Sequence, residues 1–164
     1  MSDEGELGTI RRIGDTFEAT ITRTFDHDQR TLWAMLTDPG KLPLWLAPGE
    51  LALRKGGEAK LNFPESGINV DSVITDIDPL RLIEYSWSSP GQPLRPLRWE
   101  ISPSAAGAML RLTLRIPASE DIARTCAGWD AHLDMLAAAL EGVPIKFPFD
   151  RFKTAREAYR AVNV

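Results

Sequence analysis

Two histidines, His27 and His132, and a single cysteine, Cys126, are the side chains here best suited to take up a proton near neutrality, attack a carbon centre or hold a soft metal. Their spacing is unhelpful for all three. Neither HxxxH nor CxxC occurs, and no group of carboxylates joins them on one face, so no metal centre is expected. No GxSxG turn presents a serine. Gly56 and Gly57 read as a hairpin turn, because neither GxGxxG nor GxxxxGKS/T surrounds them to cradle a phosphate. Asp71 and Glu84, the one pair considered for acid–base work, fall on the polar sides of their strands. The sequence therefore assigns no catalytic residue and no cofactor, and it favours a non-enzymatic role.

What positions His132 and Cys126 is a helix over residues 119–141. Ile122, Cys126, Trp129, Leu133, Leu136 and Leu140 recur at intervals of three and four, which keeps them on one face. Ser119 is the expected N-cap, Glu120 and Asp121 suit the positive first turn, and Gly142 followed by Pro144 ends the helix. Burying each of those six side chains is worth roughly 1.5–3 kcal/mol before entropy is subtracted. Such a stripe requires an extended apolar surface. Cys126 sits on it and reads as a core hydrophobe. His132 lies roughly 80° off its centre at about 100° per residue. It reads as a satisfied boundary residue, with a base or a donor to a polar ligand as the alternative, and His27 reads as solvated.

The upstream chain supplies that surface. In TFEATITRTF, Phe17, Ala19, Ile21 and Phe25 mark a half-buried strand, and Asp26 with Gln29 has capping-box form ahead of a helix over 27–37. KLPLWLAP allows a single helical turn. Short strands then alternate with Gly, Pro, Asn and Asp turns: ELALR, EAKLNF, INVDSVITDI, RLIEYSWS, LRWEI and MLRLTLRI. The pattern predicts an α+β fold, a curved antiparallel sheet with its helices on one side. Residues 1–16 show no period and are expected to form a flexible arm ahead of a domain at 17–142. Residues 143–164 form an extension with a helix over 150–161 carrying Phe152, Ala155 and Tyr159. That helix has three possible berths: the end of the fold, the open side of the sheet, or another subunit. Homodimerisation is a side expectation from Phe147, Phe149 and Phe152.

Composition narrows the class. At 164 residues, 43% apolar and 26% charged, the chain suits one globular domain, and its net charge of −4 argues against nucleic-acid or anionic-membrane partners. The acidic, polar start carries no apolar signal core and no run of about 18 apolar residues occurs, so a cytoplasmic location is expected.

In order and spacing these elements resemble the START-like (SRPBCC) superfamily, and within it the family named for the activator of the ninety-kilodalton heat-shock chaperone's ATPase. The resemblance covers residues 17–142. It rests on ATITRTF before a helix bearing TLWAMLTDPGKLPLWL with Trp33 and Trp45, on the glycine-turn hairpin LRKGGEAKLNF, on ITDIDPLRLIEYSW with Pro79 and Trp87, and on the terminal GWDAHLDMLAAALEG. It implies a helix-grip fold, the sheet wrapped around the long C-terminal helix, with a cavity between them. Inward-facing Trp45, Val70, Ser72, Tyr85, Trp87, Trp99, Trp129 and Leu133 are the expected lining. Four of those eight are tryptophans, whose rigid flat side chains suit an apolar or aromatic ligand. Plain packing of a small core is the competing reading. The functions implied are binding of a small hydrophobic or aromatic molecule, contact with a chaperone, or a cyclase- or hydrolase-type reaction in the same cavity.

Overall fold

Apolar and polar residues alternate along strand after strand, and pairing these strands buries one face of a continuous sheet. The computed structural model describes residues 7–63 and 66–162. Its strands are β1 (Thr9–Ile13), β2 (Thr16–Phe25), β3 (Gly49–Leu51), β4 (Glu58–Phe63), β5 (Ile68–Asp78), β6 (Leu82–Ser86), β7 (Pro96–Pro103) and β8 (Ala108–Pro117). They lie side by side in the order β1-β2-β8-β7-β6-β5-β4-β3, every pair antiparallel. The one long crossing, from β2 to β3 at the far edge, runs through helix α1 (Gln29–Thr37) and a single 3-10 turn, Leu42–Leu44. Helix α2 (Ile122–Leu140) packs on the sheet and α3 (Phe149–Arg160) packs on α2. This is the α+β arrangement expected from the strand and helix periods, in the helix-grip form that the family resemblance implies.

Parity shows which face is inside. In β8, Leu110, Leu112, Leu114 and Ile116 are buried while Arg111 and Arg115 face water. In β5 the inward parity changes at a bulge between Ile74 and Asp76: Val70 and Ile74 point in before it, and Ile77 pairs with buried Ile83 after it. On the outer face Arg98 contacts Glu84 at 3.2 Å and Asp76 at 3.4 Å, so Glu84 is spent on a surface ion cluster and Asp71 is exposed.

Helix ends differ by a residue or two from expectation, for a local reason. The Asp28 carboxylate accepts from the Thr31 N–H at 2.8 Å and caps α1; the Asp121 carboxylate accepts from the Arg124 N–H at 3.1 Å and caps α2. Ser119 therefore lies outside the helix, and Glu120 pairs with Arg95 at 2.7 Å instead. Gly142 ends α2 in the left-handed conformation, φ 78°, as expected of a C′ glycine. The flexible arm expected over residues 1–16 is corrected at its second half: Thr9–Ile13 pair with Thr16–Thr20 as a hairpin. That strand is exposed at nearly every position, so it carries no alternation to read. Residues 1–6, the rest of the expected arm, lie outside the described residues.

Helix α3 takes a berth the sequence left open, alongside α2 and reaching β1. Arg23 of β2, 4% exposed, donates to Asp134 at 2.8 Å and to Asp130 at 3.1 Å. Tyr159 of α3 donates its hydroxyl hydrogen to the other Asp130 oxygen at 2.6 Å and accepts from the Gly8 N–H at 2.9 Å, and Arg151 donates to Asp134 at 3.1 Å. Burial pushes the Asp130 carboxyl above its usual value, and the bonds from Tyr159 and Arg23 oppose that only in part. With both oxygens accepting, it is held as a carboxylate. No helix among the described residues is long and apolar enough to cross a membrane.

Candidate functional site

A cavity of about 950 Å³ opens between α2 and one end of the sheet. Three surfaces enclose it. From the sheet come Phe63 of β4, Ile68 and Val70 of β5, Trp87 just past β6, Leu97 of β7, and Leu114 and Ile116 of β8. One face of α2 contributes Arg124, Thr125, Gly128, Trp129 and His132, whose spacing of three and four residues is that of a second helical stripe beside the core one. The link into α3 adds Phe147, and the first turn of α3 adds Phe149 and Phe152.

The aromatic rings of this wall meet edge to face. Trp87 and Trp129 lie 4.9 Å apart between centroids at 76°, and Phe63 stands 5.8 Å from Trp87 at 75°. His132 belongs to the same cluster, with Trp129 at 5.7 Å, Phe147 at 5.5 Å and Phe63 at 6.0 Å. Such T-shaped contacts lock ring orientations and leave faces available to a flat molecule.

His132 is the titratable group of this aromatic wall. Its Nδ1 lies 3.0 Å from the Trp45 carbonyl oxygen, and since a carbonyl can only accept, the hydrogen is on Nδ1. Nε2 therefore carries a lone pair, with no protein partner among the described residues. Burial pulls the imidazole below its usual pKa, and the carbonyl bond opposes that only in part. The mouth is polar. Arg95 holds Glu120 in a two-toothed ion pair at 2.8 and 2.7 Å, and Arg124 faces the opening without an ion pair among the described residues.

Of the eight residues expected to line the cavity, Val70, Trp87 and Trp129 do so. The other five do not: four lie deeper in the core, and Ser72 is a half-buried residue of β5. Trp45, fully buried, donates its indole N–H to the Met35 carbonyl at 2.8 Å and meets Trp99 edge to face at 5.8 Å; Trp99, Tyr85 and Leu133 are at most 1% exposed. Burial keeps the Tyr85 phenol protonated, the Trp99 indole pulling the other way. The Ser72 hydroxyl donates to the Ser86 carbonyl at 2.7 Å, stitching β5 to β6. The correction has one cause: inward parity is shared by core and cavity, and alternation cannot tell which inward positions α2 covers. Gly128, Phe63, Arg95 and Phe147 are cavity residues absent from the expected lining, and His132, read first as a boundary residue with a ligand role as the alternative, lines the cavity as well. The available signal was the second stripe on α2, Arg124, Gly128 and His132, four residues apart. Among the described residues no cluster of three or more His, Cys, Asp or Glu side chains could hold a metal ion.

Known proteins agree with this architecture. CalU16 from Micromonospora echinospora is similar at 22% identity, with 94% of each chain covered and a TM-score of 0.72. Protein EF2215 from Enterococcus faecalis is similar at 18% identity, with 99% of this chain and 95% of that one covered and a TM-score of 0.74. DynU16, a protein of the dynemicin biosynthetic locus, is similar at 21% identity over 80% of this chain and 49% of its own, with a TM-score of 0.69. At these identities the likeness is one of fold. No curated protein is significantly similar. The family described as Activator of Hsp90 ATPase homolog 1-like protein matches residues 26–141, from the cap of α1 to the end of α2, and the chain belongs to that family.

Proposed function

We propose that this is a small START-like domain that binds a hydrophobic or aromatic small molecule without covalent chemistry, in the cavity between sheet and α2. The observation that carries this reading is the open volume itself: about 950 Å³ walled by Phe63, Trp87, Trp129, His132 and Phe147. That volume is of the size that small-molecule sites have, apolar walls with a few polar groups. The Arg95–Glu120 ion pair and Arg124 at the mouth suit a ligand whose polar end stays near water. The biosynthetic locus of DynU16 supplies a setting in which such molecules occur. A cytoplasmic place suits the buried free thiol of Cys126.

The test is a thermal-shift screen of lipids, flavonoids and aromatic acids, followed by tryptophan fluorescence titration of any hit. The expected result is a melting temperature that climbs with ligand concentration, with quenching that is lost in Trp87→Ala. A panel that leaves both the melting temperature and the fluorescence unmoved overturns the reading. A second reading, acid–base turnover of the bound molecule, is favoured by one observation, the unpartnered Nε2 of His132; mass spectrometry of the recovered ligand separates it from simple binding. Contact with a chaperone, raised by the family description, predicts instead co-purification that persists when the cavity is filled. Self-association through the extension would fall on Phe149, which is 65% exposed at the rim of the cavity that Phe147 and Phe152 also line.

A further inference from the structure

Gly128 stands in the middle of α2, where glycine costs the helix about 1 kcal/mol against alanine. Nothing in the packing calls for it. A Cβ built there meets no heavy atom within 4 Å beyond its chain neighbours and the backbone of its own helix, and the residue lines the cavity one turn before His132 and next to Trp129. The bare backbone widens the cavity beside Trp129 and one turn from His132, whose Nε2 has no partner among the described residues. From this juxtaposition we infer that Gly128 and His132 form a subsite for the hydroxyl-bearing ring of a phenolic ligand, the ring lying over the Gly128 backbone against Trp129 and its hydroxyl donating to His132 Nε2. This rests on the small-molecule reading above and names the ligand class of that site.

The chemistry selects among ring substituents. With Nδ1 committed to the Trp45 carbonyl, Nε2 of the neutral imidazole accepts and cannot donate. A ligand ether placed there would find lone pair facing lone pair. An ammonium placed there would meet the rings of Phe63, Trp129 and Phe147 and no carboxylate among the described ring neighbours of His132, since Glu120, which lines the same cavity, is already held by Arg95. A neutral O–H on a flat apolar ring satisfies the nitrogen and covers the aromatic wall together. Binding is by hydrogen bond and burial, with no bond made or broken.

The test compares 2-naphthol with 2-methoxynaphthalene by calorimetric titration of the full chain. For the unaltered protein, 2-naphthol binds roughly three- to tenfold more tightly, the worth of one buried hydrogen bond. His132→Phe keeps the ring wall and abolishes that preference. Gly128→Leu, which fills the open space with a good helix former, raises the melting temperature yet weakens both probes more than about tenfold. In the unaltered protein the imidazole Nε2 resonance moves on adding 2-naphthol and not on adding 2-methoxynaphthalene, a reading independent of how the variants fold. Equal affinities for the two probes, or a preference that survives His132→Phe with a silent Nε2 resonance, overturns the subsite and leaves the cavity reading standing. If neither probe binds, the subsite falls, and the wider ligand screen decides whether the cavity reading falls with it.

Discussion

His132 ties pH to stability through a single ring. Held neutral by burial and by its bond to Trp45, it has a folded pKa below the ordinary value near 6.5, so the unfolded chain takes up the proton first as pH falls. The stability this group contributes is complete above about pH 6.5 and declines as pH falls through the window between the unfolded and folded values. Urea denaturation at about pH 7.5 and about pH 5.5 is expected to show a loss for the native sequence that His132→Gln largely removes; equal slopes in both proteins would sink the assignment. Cys126 makes the opposite case. It is fully buried in α2, and burial together with Asp130 pushes its thiol up to about 12, so the thiolate is scarce at neutral pH. Labelling by a disulfide reagent is expected to proceed only at the rate of global opening, measured against hydrogen exchange. Faster labelling in native buffer would contradict its place in the core. Cys126 was readable from its position on the apolar stripe, whereas His132 was not: its value comes from the Trp45 carbonyl, distant in sequence and brought near only by the fold.

At the scale of elements, α2 works with three faces at once. Ile122, Cys126, Leu133 and Leu136 lie in the core, Arg124, Gly128 and His132 face the cavity, and Asp130 and Asp134 receive Arg23 and α3. The first face is periodic and apolar, which is why the helix and its sheet were legible from residues alone. The second is polar and aromatic, and the third is acidic; both look like solvated surface in a sequence. The partners that give them meaning come from β2, the 3-10 turn and the extension. The berth of α3 illustrates this. Its apolar positions Ala155 and Tyr159 were visible, but the place they bury was set by one hydroxyl between Asp130 and the Gly8 N–H. Tyr159→Phe is expected to cost about 1–3 kcal/mol in urea unfolding, because it leaves a buried carboxylate oxygen and a backbone N–H short of a partner. A change within a few tenths of a kcal/mol would show that ring packing alone seats the helix.

Across the whole molecule, Asp130 joins segments from both ends of the chain to its middle. Its oxygens take Arg23 of β2 and Tyr159 of α3, and Tyr159 in turn holds Gly8 at the start of β1. Charges this deep add little net stability when paired, since the cost of leaving water is nearly repaid by the attraction, but removing one member strands the rest. Asp130→Asn keeps the size of the side chain and replaces an acceptor with an N–H donor. That donor must face either the Arg23 guanidinium or the Tyr159 hydroxyl, and Arg23 keeps Asp134 as its carboxylate partner beside the long bond to the residue-130 carbonyl. The expected loss is about 3–5 kcal/mol, and the manner of unfolding is more informative than its size. In the native sequence, helix circular dichroism and tryptophan fluorescence should change together on heating, as in a single cooperative unit. Helix α3 contains no tryptophan, and the five tryptophans lie in α1, the segment after the 3-10 turn, the sheet layer and α2. In Asp130→Asn the circular dichroism is therefore expected to begin falling before the fluorescence moves, as α3 and the β1 hairpin release first. Coincident transitions shifted by equal amounts would mean that the network adds stability without coupling the ends, and that the sheet and α2 alone hold the extension in place.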